Sequence, residues 1–438
     1  MKRCAGAAAN ANLHPSMKRP ELIIKNASYG GRAVDLAVGG GVIVEMAPGG
    51  TILAPGAEKV EAGGLLLLPA LYDCHAHMRD PGQTHKEDIA SGLGAAAHGG
   101  FSRVFAMANT SPVNDDSRIT RGMLEAAHRS WPSGPMLHPV AALTKKLAGR
   151  EVANLIEMKD AGCIAASNDG EPIADTAVFM AALAAAKAAG LPVIDHCEDP
   201  YLAKGAGLNR GRVSRKLGHR SQPRSAEAIQ VARDVILAAE MDVNLHLAHI
   251  SCVESIEIIA AAKQKGVPVS AETCPHYLVF TEDEVERRGT AAKVNPPLRT
   301  MDDVLAVRQA LREGVIDCLA TDHAPHAATE KAEAFENAPC GISGLDTALA
   351  VCLGLMRENE LGHAEFTRAW HTAPAAIFGL PACVFEPGDK ADLILVDPEA
   401  EWIVEEENMH SRGKNTPLMG TKLKGRTAML FIDGKRVV

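Results

Sequence analysis

The chain spaces histidine and aspartate as metal chemistry requires. The run Leu65-Leu-Leu-Leu-Pro-Ala-Leu-Tyr72 leads directly into Asp73-Cys-His75-Ala-His77. Two histidines at i and i+2 on a strand point to the same face, so both imidazoles can reach one ion. Four further apolar runs close on a residue of the same kind: Asp169 after Ser167-Asn168, His196 after Leu191-Pro-Val-Ile-Asp195, His249 after residues 243–248, and Asp322 after residues 315–321. Imidazole nitrogens and carboxylate oxygens in such a set suit Zn²⁺ or a similar divalent ion. A single buried strand-end His or Asp is more often a hydrogen-bonded core residue, and an HxH pair alone decides little. Chance does not readily place such a group at the end of five separate strands. His75, His77, Asp169, His196, His249 and Asp322 are therefore the candidate metal ligands, for one or two Zn²⁺ per chain. His246 precedes His249 by three residues and faces the other side of its strand, so a structural role is expected for it. The same is expected of His98, His128, His138, His219, His363 and His371, while His276 is placed behind the ligands.

The chemistry follows from the ion. A bound divalent metal polarises a carbonyl and lowers the pKa of water from roughly 15.7 to about 7. A carboxylate beside that water can take its proton and deliver it to a leaving nitrogen, the acid/base role expected of Asp322. The reaction class is hydrolysis at an amide-like carbon, or the reverse condensation.

Elements of defined order must bring these residues together. Candidate strands end at His77, Asn109, Leu143, Asp169, His196, His249, Thr273 and Asp322, with Ala-rich helical stretches at 174–189, 225–240, 252–265 and 301–312 between them. Such alternation predicts an α/β fold, a (β/α)8 TIM-type barrel over residues 63–382 whose active site forms at the C-terminal strand ends. Residues 19–62 and 383–438 carry short β-type runs and glycine turns, and are expected to meet in one small flanking β-sandwich domain. Residues 1–18 are expected to be a disordered extension, with Met17 a second possible start. A net charge of −9 and 4% aromatic residues argue against a nucleic-acid partner. No apolar run reaches the roughly 18 residues needed to span a membrane. Ten cysteines without a CxxC pair read as free thiols of a reducing compartment, so a cytoplasmic location is expected.

The combination is familiar. His75-Ala-His77-Met-Arg79, Ala106-Met-Ala-Asn-Thr-Ser-Pro112, Asn168-Asp-Gly170, Asp195-His-Cys-Glu-Asp199, Ala248-His-Ile-Ser251, Lys293-Val-Asn-Pro-Pro-Leu-Arg299 and Thr321-Asp-His-Ala-Pro-His326 occur in one order. Together they resemble the type I bacterial dihydroorotases of the amidohydrolase superfamily, over roughly residues 20–438. The resemblance implies a metal barrel with a β-domain from both chain ends. It implies His75, His77 and Asp322 at one zinc position, His196 and His249 at another, and Asp169 bridging them. Asp322 would be the catalytic acid and base. His77, Arg79, Asn109, Asn295 and His326 would contact substrate, with the backbone at Cys340 and Gly341 closing the pocket. The implied reaction interconverts carbamoyl aspartate and dihydroorotate, whose carboxylate suits the planar fork of Arg79. An ion pair with Asp73 or Asp80 is the plainer alternative for that arginine.

Two departures matter. Many superfamily members bridge their metals with a carboxylated lysine, but no lysine lies between Lys159 and Lys187 here. The type I branch uses aspartate at that point, so Asp169 fits it. Asn168 stands where an aspartate is usual, which removes a negative charge near the ions. The alternatives are a dihydropyrimidinase, hydantoinase or allantoinase, or an inactive scaffold for aspartate transcarbamoylase. The former generally carry the bridging lysine, which is missing here, and the latter lose ligand histidines, whereas this chain retains every ligand position. A homo-oligomer is expected, and an association with aspartate transcarbamoylase is compatible with channelling. Residues 201–222 and 327–339 are the segments long and polar enough to cover the pocket.

Overall fold

Strand–helix alternation closes into a barrel because each apolar run can be covered on both faces. The computed structural model describes residues 19–438; the extension expected over residues 1–18 lies outside them. The N-terminal strands are β1 (Leu22–Tyr29), β2 (Arg32–Gly39), β3 (Val42–Pro48), β4 (Glu58–Glu61) and β5 (Leu66–Pro69). The central eight are β6 (Leu71–Ala76), β7 (Phe101–Ala106), β8 (Met136–Ala142), β9 (Ala165–Ser167), β10 (Val193–Asp195), β11 (Leu245–Leu247), β12 (Val269–Thr273) and β13 (Cys318–Leu319). The last three are β14 (Leu393–Ile403), β15 (Lys422–Ile432) and β16 (Lys435–Arg436). Strands β6 to β13 pair in sequence order as a parallel sheet. A bridge from Ala76 to His323, just past β13, brings its two ends together. The result is the expected barrel.

Both faces of these strands are buried, which is why they read as continuous apolar runs rather than alternating ones. In β10, Val193 packs into the cluster shared with the surrounding helices, whereas Ile194 joins Phe105, Val140 and Phe378 in a separate one. The covering helices follow from ordinary signals. Asp175 caps Thr176–Ala189 by accepting from the Ala177 and Val178 amides, and Gly190 ends it in the left-handed region. That helix buries Phe179, Ala182, Leu183 and Ala186, the spacing of one helical face.

The chain ends form the second, mostly antiparallel sheet, in the order β16-β15-β14-β5-β1-β2-β3, with β4 beside β1. Its core includes Leu22, Ile24, Leu36, Leu393, Leu395 and Phe431. The run Leu65–Tyr72, which reads in sequence as one strand entering the barrel, is divided. Leu66–Pro69 pairs with β14 in the outer sheet, and the chain crosses to the barrel at Ala70. Among the C-terminal strands, β14 runs unbroken over eleven residues, and its register against β15 shifts between Asp397 and Glu401. Among the described residues no helix is long and apolar enough to cross a membrane.

Candidate active site

The strands stop short so that their next residues can turn inward. Strands β9, β10 and β11 have three residues each and β13 has two. Just past these ends, His249 (φ 35°) and Asp322 (φ 46°) adopt left-handed backbone, as does Arg79 (φ 56°) after β6. Non-glycine residues held there cost about 1–3 kcal/mol each, and such strain persists where surrounding structure enforces it. All three carry side chains into the same region.

That region holds the six candidate ligands. Asp169 Oδ1 lies 3.3 Å from both His75 Nε2 and His196 Nδ1, and 3.6 Å from His249 Nε2. Its other oxygen is 3.5 Å from His77 Nε2. Asp322 Oδ1 is 3.1 Å from His77 Nε2 and 3.8 Å from His75 Nε2. Ligand atoms of His75, His77 and Asp322 fall within 4.8 Å of one another, as do those of His75, Asp169 and His249. Burial disfavours the charged forms, yet the attraction between the two sets wins. Asp169 is held well below the usual carboxylate range by His75 and its neighbours, and His75 is raised well above the imidazole range by Asp169. Groups that pull each other's charges so strongly form a site for positive charge. His75 Nε2, which faces Asp169 and Asp322, is buried without a hydrogen-bond partner, a costly state for a ring nitrogen and one that a cation beside those carboxylates relieves. The residues fit a divalent metal ion.

Behind the ligands, further side chains fix their orientation. His75 Nδ1 is 2.8 Å from Glu272 Oε1, and Glu272 Oε2 is 3.1 Å from His246 Nε2, whose Nδ1 meets Ser270 Oγ at 2.7 Å. Since an ionised carboxylate only accepts, His75 carries a proton on Nδ1, which leaves Nε2 as the nitrogen that a metal ion would take. Asn109 Oδ1 does the same for His77 through Nδ1 at 2.9 Å. Asp73 accepts from the Thr321 amide at 2.8 Å and from its hydroxyl at 2.5 Å, tying β6 to the turn that presents Asp322. Asn168 is occupied elsewhere: it accepts from Thr144 and donates to the Leu147 and Glu171 carbonyls. Its replacement of a charge therefore serves the loops around it.

A cavity of about 390 Å³ opens on this cluster. His77, Asp169, His196, His249 and Asp322 line it together with Arg79, Asn109, Asn295, His326, Cys340 and Gly341. His75 sits beneath, fully buried. Arg79 pairs with neither Asp73 nor Asp80; its Nε donates to the Pro325 carbonyl at 3.2 Å and its Nη2 lies 3.3 Å from His326 Nε2. Burial, with the positive charge of Arg79 adding to it, pushes the His326 pKa down to about 2, so that ring is neutral. Asn295 Nδ2 is 3.3 Å from His196 Nε2. Of the two candidate covering segments, the first contributes Ala203 to Ala206 to the lining.

Sequence reasoning missed two acidic residues of this region. Glu272 was detectable as the one charge in the buried strand Val269–Thr273. Glu198, 3.6 Å from His196 Nε2, lines the cavity one residue beyond Cys197 and gave no periodic signal. His276, placed behind the ligands in sequence, is buried with its Nε2 unpartnered and groups with Cys274 and Asp322.

Residues 66–437 match the profile of the amidohydrolase family. The chain belongs to that family. As an amidohydrolase it is similar to the dihydroorotase of Syntrophotalea carbinolica, 44% identical over 86% of this chain and 89% of that protein. The dihydroorotases of Geobacter metallireducens (42%, covering 92% and 95%) and Aquifex aeolicus (43%, covering 88% and 90%) are comparably similar. In fold this amidohydrolase matches the L-hydantoinase (dihydropyrimidinase) of Arthrobacter aurescens, with a TM-score of 0.84 over 96% of both chains at 22% identity.

Proposed function

We propose that this amidohydrolase is a dihydroorotase, catalysing the reversible, zinc-dependent cyclisation of N-carbamoyl-L-aspartate to L-dihydroorotate in UMP biosynthesis. Three dihydroorotases at 42–44% identity support the reading. The observation that carries it is the buried guanidinium of Arg79 in the same cavity as the His/Asp cluster. A buried arginine without a carboxylate partner is matched by a ligand that brings its own. His75, His77 and Asp322 would hold one zinc and His196 and His249 a second, with Asp169 between them. When bound, zinc supplies a polarised carbonyl and an acidified water.

The chain's own groups do the rest. Asp322 takes the proton of the attacking water and returns it to the leaving ring nitrogen; in ring closure the transfers run in reverse. Arg79 meets the substrate carboxylate with its planar fork. Asn109 has its oxygen committed to His77, which leaves its amide N–H groups for a ring carbonyl. Asn295, His326 and the backbone of Cys340 and Gly341 complete the pocket. A cytoplasmic setting accords with nine free cysteines among the described residues. Self-association and binding to aspartate transcarbamoylase belong to this proposal, and light scattering of the chain alone and mixed with that enzyme tests both.

The direct test is turnover by purified, zinc-loaded protein. Carbamoyl aspartate and dihydroorotate should interconvert faster than hydantoin or dihydrouracil is opened. The opposite ranking replaces the reading with a hydantoinase or dihydropyrimidinase, and inactivity on all of them with an inactive scaffold.

A further inference from the structure

Two lysines are buried beside the Arg79 end of the cavity, where a neutral side chain would be far cheaper. Lys293 is 5% exposed and Lys331 8%, and their ammonium groups face backbone carbonyls. Lys293 Nζ donates to the carbonyls of Phe335 at 2.6 Å, Ala338 at 2.7 Å and Glu336 at 3.4 Å. Lys331 Nζ donates to those of Pro339 at 2.9 Å, Gly341 at 3.2 Å and Lys293 at 3.4 Å. Carbonyl dipoles satisfy the donors without neutralising the charge, so two positive charges remain under residues 335–341.

That segment ends on the cavity wall. Gly341 donates its amide to the Lys293 carbonyl at 2.9 Å. It sits at φ +141°, where a Cβ would fall 2.5 Å from the Ala324 carbonyl oxygen, so backbone alone fits there. The adjacent Cys340 carbonyl is 2.8 Å from His326 Nε2. A carbonyl only accepts, so it holds the His326 proton on Nε2. An Nε2–H cannot also accept from Arg79 Nη2, 3.3 Å away. The Arg79 fork is thereby left with unspent donors facing the cavity.

We propose that Lys293 and Lys331 are positioning residues for substrate recognition: they staple residues 335–341 against His326 and so keep Arg79 available to a ligand carboxylate. The inference rests on the dihydroorotase reading and deepens it, since it names what keeps the Arg79 end of the pocket open to an anionic group.

The test uses full-length, zinc-loaded enzyme and dihydroorotate hydrolysis, with Lys331→Met, Lys293→Met and Lys331→Arg beside the wild type. Each Met variant should raise KM about tenfold or more while kcat stays within about threefold, and Lys331→Arg should recover most of the KM. A KM within about twofold of wild type in both Met variants, or a loss in kcat alone, overturns the inference. Should the Met variants fail to fold, the wild-type pH profile decides. Burial, with Lys293 adding to it, brings the Lys331 pKa down to about 8, opposed by the Cys340 thiol. Glu330 next to it is engaged by Lys86 at 3.0 Å, and Glu336 by His219 at 2.5 Å. Neutral Lys331 has one donor fewer for three carbonyls, so KM should climb through about pH 8 in the wild type and later in Lys331→Arg. Identical profiles overturn the inference. Absence of wild-type turnover on dihydroorotate removes the substrate reading itself, an outcome distinct from an unchanged KM.

Discussion

Glu272→Ala removes the one carboxylate that holds two histidines behind the site. Glu272 is fully buried, and it lies 2.8 Å from His75 Nδ1 and 3.1 Å from His246 Nε2. Truncation leaves two buried N–H donors without acceptors, at about 1–3 kcal/mol each, so the metal-free protein should lose about 2–6 kcal/mol. The upper end approaches the whole stability of a small domain, which makes Glu272→Gln the necessary companion. Its amide oxygen can still accept from His75. Its amide N–H can donate to His246 Nε2 once that ring moves its proton to Nδ1, where Ser270 Oγ accepts at 2.7 Å. Gln thus keeps the contacts and loses the charge, and since neutral bonds are about half as strong, a cost of about 1–3 kcal/mol is expected. Orientation of a ligating histidine also sets ion affinity, so zinc should bind about 10–100-fold more weakly to the Ala variant. Denaturant unfolding of stripped protein gives the first quantity, and competition with a chromogenic chelator gives the second. Wild-type stability and zinc affinity in Glu272→Ala would refute the reasoning, because His75 Nδ1 has no other hydrogen-bond partner among the described residues.

Asp322→Ala should abolish turnover with near-normal unfolding, and near-normal activity in the mutant would end its acid/base role. Arg79→Ala deletes a charge-assisted fork worth about 1.5–3 kcal/mol, so KM for dihydroorotate should rise about 10–100-fold; steady-state kinetics check this, and an unchanged KM rejects the clamp. Chelation should remove activity and Zn²⁺ restore it, with metal analysis of the restored protein giving the ions per chain; activity that survives complete stripping contradicts the site.

The His/Asp cluster was legible because strand ends mark it twice, once by the apolar run that stops and again by the His or Asp that follows. His196 after Ile194 and Asp169 after Ser167 keep the two-residue period past the last ladder bond, so the face could be counted without coordinates. The barrel was legible for the same reason. Glu272 was harder to assign because its role depends on which strand lies beside it: the pairing of His246 with Ser270 sets the relay, and register between β11 and β12 has no local signature. Lys293 and Lys331 were illegible altogether, since their partners are backbone carbonyls, which every residue carries. The division of Leu65–Tyr72 escaped because one apolar run serves two sheets equally well, and only the pairing with β14 separates them.

That division has a consequence for how the chain is made. Leu66–Pro69 is clasped in register by Val396 to Leu393, and the Ala70 amide donates to the Asp392 carbonyl at 3.0 Å. The strand that presents His75 therefore has, one residue upstream, a neighbour that leaves the ribosome more than three hundred residues later in the same chain. Until then a four-residue apolar edge stands open during synthesis, a template for pairing with other chains. Cutting the C-terminal strands away would leave that edge open permanently, so material shortened there should collect in inclusion bodies even though every candidate ligand is still encoded.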